Sequence, residues 1–299
     1  MKEGSTVNLC TIDLCKAFDK VNHHALYIKL MKRGVPVELL ELLENWLSNC
    51  MTCVKWHDVF SSMFGLTFGV RQGSVLSPYL FAIYLDDLYK SYKGNRGLYV
   101  FLYADDILCI SPSICALENL LRACEWELIW LDMSINVKKS SCLRIGPRND
   151  IKCANITTLA GQVIPWVNEM RYLGINIKRS RTFKCSLDQP KRAFYRAANG
   201  LFGKVARTAS EEVVIQLLSS KCMPILLYGL DVCCLTKTEL NSLDFVINRF
   251  CMKLFSTSNM DIIKDCQSYF NLKLPSELLT KRHDKFLLKL SLQRCRVVA

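Results

Sequence analysis

The chain has 299 residues, 51% of them hydrophobic, with only 8 prolines and 13 glycines, a composition for which disorder is not the default and which suits one large domain or two ordinary ones. No apolar stretch approaches the roughly 18 residues that cross a bilayer, and Met1-Lys2-Glu3-Gly4 offers no signal-peptide core, so the sequence predicts a soluble protein of the cytoplasm or nucleus with no membrane partner. Residues 1–150 carry 16 Lys and Arg against 16 Asp and Glu while residues 151–299 carry 23 against 11, so the net charge of +12 comes entirely from the second half, which suits a polyanion or simply solubility.

The first apolar run, Val7 to Ile12, is short and β-branched and ends at Asp13, which reads as a buried strand. Helical patterns follow over His24 to Lys32, stopped by Gly34 and Pro36, and over Glu38 to Leu47. Thr52 to Trp56 and Phe64 to Val70 read as strands, and Pro78 suits the first turn of a helix reaching about Tyr92. Leu98 to Ile110, apolar on both sides of Ala104-Asp105-Asp106, reads as a buried β-hairpin with a polar tip. An amphipathic helix from Ser113 to about Leu131 precedes a strand over Ser141 to Ile145. After two short strand-like stretches, Arg171 to Ile177 reads as a strand, and from Asp188 onward the chain is almost wholly helical. This order predicts an α+β fold, an antiparallel sheet backed by helices and then a mainly helical region, with a boundary near residue 180.

The 16 cysteines are scattered, often inside apolar runs, as expected of buried free thiols in a reduced compartment. Cys50 and Cys53 have half-site spacing for zinc, but no second Cys or His pair follows at a suitable distance. The carboxylates carry more information. Asp13 ends one buried strand and Asp105 and Asp106 sit at a hairpin tip, so strands of one sheet can set Asp13 beside Asp105. Buried carboxylates need a cation or donors nearby, and Mg²⁺ held by carboxylates and substrate phosphates is the usual answer. An Asp-Asp pair also makes an ordinary polar turn; the flanking Phe101, Leu102, Tyr103, Ile107 and Leu108 weaken that reading.

Tyr103-Ala104-Asp105-Asp106 resembles the tyrosine-x-Asp-Asp signature of reverse transcriptases. Asp13-Leu14-Cys15-Lys16-Ala17-Phe18-Asp19-Lys20-Val21-Asn22-His23 resembles the first palm motif of the non-LTR retrotransposon enzymes, and Gly69-Val70-Arg71-Gln72-Gly73-Ser74-Val75-Leu76-Ser77-Pro78 the second. Asn136-Val137-Lys138-Lys139-Ser140 resembles the lysine-bearing fourth motif, Arg171-Tyr172-Leu173-Gly174-Ile175 the primer grip strand, and Pro224-Ile225-Leu226-Leu227-Tyr228-Gly229, more loosely, the helical region after the palm.

The resemblance implies a polymerase palm over residues 1–180 and a helical thumb over 181–299, acting as an RNA-directed DNA polymerase on an RNA template, a DNA primer and deoxynucleoside triphosphates. It implies that Asp13 and Asp105 hold two Mg²⁺ ions, helped by the Leu14 carbonyl, with Asp106 as a supporting carboxylate. Phe18 matches the steric gate, an aromatic face with no room for a 2′-hydroxyl; without the motif it would read as a core aromatic. Arg71, Gln72 and Gly73 would lie along nucleotide and template, and Lys139 would reach the triphosphate and protonate the departing pyrophosphate. Arg179, Arg181, Lys184, Lys191, Arg192 and Arg196 would grip duplex phosphates, though each alone is an ordinary solvated charge. Only 12 residues precede Asp13, so the fingers of such an enzyme are expected to be largely missing. A catalytically silent remnant that binds nucleic acid is the second expectation.

Overall fold

The computed structural model describes residues 5–90, 97–205 and 208–297, and the chain falls into two compact units, Met1–Met170 and Arg171–Ala299. The first is built on a four-stranded antiparallel sheet in the order Tyr99–Tyr103, Asp106–Ser111, Val7–Ile12, Ser141–Ile145. The strand nearest the N-terminus is thus central, paired with strands at residues 107–111 on one side and 141–145 on the other. Period-two alternation sends Cys10 and Ile12 to one face with Ile107, Cys109 and Cys142. The helix Ile114–Trp130 covers that face with Leu117, Leu120, Leu121, Cys124 and Leu128, all fully buried at helical spacing. Each such leucine contributes about 1.5–3 kcal/mol relative to exposure.

The α+β expectation holds, with local differences that have physical causes. Of the expected hairpin, only the Asp106–Ser111 strand is buried. Tyr99–Tyr103 is the sheet edge, so Val100 and Leu102 reach the core while Tyr99, Phe101 and Tyr103 stay exposed. The two strands expected between residues 52 and 70 are two-residue ladders, Met51–Thr52 on Phe64–Gly65 and Lys55–Trp56 on Val59–Phe60, around a left-handed His57. They have no face to bury, and ladders without burial stay short. The helix expected from Pro78 runs Ser77–Leu85 and breaks at Asp86, with one further turn at Asp87–Lys90. At the break the buried Lys29 ammonium donates to the Tyr84 carbonyl at 2.6 Å and pairs with Asp87 at 3.0 Å. The expected continuation to Tyr92 lies outside the described residues.

Buried thiols form part of the core. Cys10 stands directly opposite Cys109 and Cys142, and all three are fully buried. A thiol hydrogen bond with Cys142, and then burial, push the Cys10 pKa well up; a bond with Cys124, and then burial, do the same for Cys109. These side chains stay protonated and pack as small hydrophobes.

In the second unit, Arg171 to Lys178 is a hairpin turning at Leu173-Gly174 rather than the single strand expected there. Helices Asp188–Val205, Glu211–Leu217, Met223–Leu227, Lys237–Leu254, Met260–Tyr269 and Pro275–Val297 follow. They share a core of Phe194, Val214, Leu218, Leu226, Leu243, Ile247 and Ile263, each fully buried. No helix among the described residues is long and apolar enough to cross a membrane.

Candidate active site

Three segments of the first unit meet where the central strand ends. The register ends with Ile12 on Ile107, so Asp13 follows the last paired residue of one strand and Asp106 precedes its partner on the next. Asp106 also pairs with Tyr103 across a two-residue loop, Ala104-Asp105, in which Ala104 has φ 51, a conformation costly for any residue but glycine. The sheet therefore brings Asp13 and the Asp105-Asp106 pair to the same end of two neighbouring strands, with Asp106 half-buried and Asp105 exposed at the tip.

The second segment holds Asp13 from the other side. The Asp13 N–H donates to Ser140 Oγ at 3.1 Å, and Ser140 Oγ donates to the Asn136 carbonyl at 2.9 Å. The Asn136 N–H in turn donates to the Asp13 carbonyl at 2.8 Å. Leu14 bridges Ile135, and the flanking bonds, Asn136 to Asp13 and Cys15 to Ser134, make this a non-hydrogen-bonded pair, so the Leu14 carbonyl is turned away from it. The same turn carries Lys139, whose Nζ stands 3.8 Å from Asp13 Oδ2. That is charge attraction without a hydrogen bond. Asp13 Oδ2 is sealed from solvent and takes no hydrogen bond at all.

The third segment is the glycine-rich stretch. Gly69 donates its N–H to the Val21 carbonyl and Val70 to the Phe18 carbonyl, both at 2.8 Å. A Cβ on Gly69, at φ +86, would sit 2.9 Å from the Asp19 carbonyl oxygen, so only glycine allows this approach. His23 Nε2 donates to the Gly69 carbonyl at 2.8 Å, and Gln72 Nε2 to Asp19 Oδ1 at 3.3 Å. Arg71 is exposed, its carbonyl accepting from Ser77 Oγ at 2.7 Å. Gly73, at φ +87, faces open space. A cleft of about 400 Å³ opens beside Asp19, His23, Arg71 and Gln72 and runs back to Trp46 and Phe68. Phe18 stacks on Phe81, ring centroids 4.5 Å apart, and is half-buried against the core.

Asp13 and Lys139 are thus adjoining, at the strand end that Asp105 and Asp106 share, and Gln72 is held to Asp19. Several contributors were not legible as such in the sequence. Asp19 and His23 lie inside a recognised motif but carry no role until the fold presses Gly69 onto them. Ser140 and Tyr84 act through the backbone: Tyr84 accepts from the Asn22 N–H at 3.2 Å and donates to the Leu131 carbonyl at 2.6 Å. Only their types and neighbours in sequence could have flagged them.

Among the described residues, no three His, Cys, Asp or Glu side chains are close enough to hold an ion by themselves. The donor set nonetheless suits magnesium, which takes one or two carboxylates and fills its shell with other oxygens. The unsatisfied Asp13 Oδ2 is the atom that a cation would relieve. In the second unit Arg181, Lys184, Arg192 and Arg196 are exposed, while Lys191 donates to Ser242 Oγ at 2.9 Å.

A family model described as reverse transcriptase (RNA-dependent DNA polymerase) matches residues 2–177. The chain is 30% identical over 197 residues to the RNA-directed DNA polymerase from mobile element jockey of Drosophila funebris, covering 62% of this chain and 21% of that protein. It is 26% identical over 281 residues to the probable RNA-directed DNA polymerase from transposon BS of Drosophila melanogaster, covering 88% of this chain and 29% of that protein. The chain thus spans a fifth to under a third of the length of these curated relatives. Among solved structures, telomerase from Candida albicans, in complex with a TWJ fragment of telomeric RNA, aligns with a TM-score of 0.49 at 12% identity, covering 91% of this chain and 52% of that one.

Proposed function

The chain belongs to the reverse transcriptase (RNA-dependent DNA polymerase) family, of the non-LTR retrotransposon kind, and from this we propose that it extends a DNA primer on an RNA template by nucleotidyl transfer at the end of the central strand. The observation that carries the proposal is the Asp13 carboxylate, with one oxygen sealed and without a hydrogen bond, 3.8 Å from Lys139 at the strand end next to Asp105-Asp106. A carboxylate kept in that state costs stability unless a bound cation repays it.

In this reading Asp13, Asp105 and Asp106, with the Leu14 carbonyl, hold Mg²⁺. Two such ions, when bound, supply activation of the primer hydroxyl and neutralisation of charge on the transferring phosphoryl group. Lys139 carries a proton at Nζ and delivers it to the departing pyrophosphate. Phe18, its ring backed by Phe81, presents an immobile edge to the sugar and leaves no room for a 2′-hydroxyl. Arg71, Gln72 and Gly73 line the nucleotide and template side, Gln72 oriented by Asp19. The basic residues of the second unit hold the duplex through its phosphates.

The test is primer extension on an RNA template with deoxynucleotides and Mg²⁺. Extension by the chain, lost in Asp105→Ala and opened to ribonucleotides in Phe18→Ala, is the expected result. Tight binding of primed template with no extension under any condition would overturn it in favour of a silent nucleic-acid-binding remnant.

A further inference from the structure

Two glycine-bearing dipeptides of the second unit interlock. A Cβ on Gly174 would lie 2.9 Å from Cε1 of Tyr228, and a Cβ on Gly229 would lie 2.5 Å from Cδ1 of Ile175. Each glycine is therefore filled by the neighbour of the other: the Tyr228 ring crosses Gly174, and the Ile175 side chain crosses Gly229. Both glycines also have positive φ, 79 and 66, where any other residue is strained. The corner itself is well anchored. It caps the short helix Met223–Leu227, whose Leu226 and Leu227 are buried in the helical core, just after a π-helical turn over Leu218–Cys222.

The partner of this corner is a strained turn. Leu173 has φ 46, where a glycine or asparagine would rest more easily. Strain of this kind persists only where surrounding contacts over-determine it, and such turns cluster at sites that bind or switch. Arg171, at the entry to the turn, is exposed, and Tyr228 is 60% exposed although its ring covers Gly174.

We propose that Tyr228 and Gly229 are positioning residues that hold the Arg171–Ile175 turn in a single strained conformation, so that the primed template held by the second unit meets, beside the exposed Arg171, a turn already ordered. This rests on the polymerase reading above. Pre-organisation of this kind improves affinity by removing conformational entropy from the free state rather than by adding a contact.

The experiment uses the full chain with Tyr228→Ala and Tyr228→Phe, and Gly229→Ala where it folds. Amide hydrogen exchange is read over residues 172–176 and over the Lys237–Leu254 helix, and affinity for a primed RNA template is measured beside it. In Tyr228→Ala the turn should exchange about tenfold faster with the helix unchanged. Its affinity should fall about tenfold, the equivalent of ordering one loosened residue, while the rate constant at saturating primer is retained. Tyr228→Phe, which keeps the ring, should restore both. Unchanged exchange in Tyr228→Ala would overturn the proposal, and so would faster exchange with wild-type affinity, which would make the corner packing only. A wild-type chain that binds no primed template would sink the polymerase reading instead, a distinct outcome that leaves the turn no strand to meet.

Discussion

The Asp13 N–H and Ser140 Oγ are 3.1 Å apart, and that one bond fastens the end of the central strand to the turn that carries Lys139. Ser140 is 1% exposed, and its hydroxyl also donates to the Asn136 carbonyl. Ser140→Ala should therefore leave a part-buried N–H unsatisfied and cost about 1 kcal/mol. Loss in thermal unfolding should come with a larger fractional loss of extension than of template binding. An unchanged melting temperature would show that water or a shifted backbone replaces the hydroxyl.

Asp13→Asn should separate stability from function. In the absence of Mg²⁺ the substitution removes an ionised oxygen that has no hydrogen bond and only the exposed Lys139 as a weak counter-charge, so the variant should melt close to the wild-type temperature while extending no primer. Adding Mg²⁺ should raise the wild-type melting temperature and leave that of the variant unmoved, because a ligand stabilises only the state that binds it. Equal responses of the two proteins to Mg²⁺ would place the ion elsewhere.

Gly69 and Gly73 have almost the same backbone, φ +86 and +87, but different surroundings. Gly73→Ala meets nothing within 4 Å and should cost about 1–2 kcal/mol from conformation alone. Gly69→Ala drives a methyl into the Asp19 carbonyl as well, and should cost clearly more, about 3 kcal/mol or beyond. Denaturant unfolding of the two variants compares them directly, and equal losses would mean that the Asp19 segment yields freely.

Binding of primed template should weaken steeply with salt and show little sequence preference. Arg192 and Arg196 stand one turn apart on the exposed side of a helix whose Phe194 and Ala198 face the core. Replacing both arginines by alanine should lower the slope of log affinity against log salt by about two if each contacts a phosphate. An unaltered slope would remove this helix from the duplex contact.

Much of the sheet was legible because alternation and β-branched runs specify strands wherever one face is buried. Val7 to Ile12 and Ser141 to Ile145 have the limits read from the sequence. The reading failed where burial, rather than pattern, decided the outcome. Tyr99, Phe101 and Tyr103 are as hydrophobic as a buried strand, yet they occupy an edge, and nothing local distinguishes an edge from a centre. Leu173-Gly174 reverses the chain within what reads as one strand, because Leu173 takes a left-handed conformation that its residue type does not announce.

The sequence by itself determined the residue types of the site, the order of the motifs and the position of Asp13 and the Asp105-Asp106 pair at the ends of strands, since these follow from local periodicity and turn chemistry. Only the tertiary structure decided that Ser140 takes the Asp13 N–H while Lys139 approaches the Asp13 carboxylate, and that Gly69 rests on Asp19 with His23 bonded to its carbonyl. Those relations join residues 46 to 127 positions apart. They depend on register and close backbone approach, which are fixed when strands and loops pack together and are written in no single stretch of the chain.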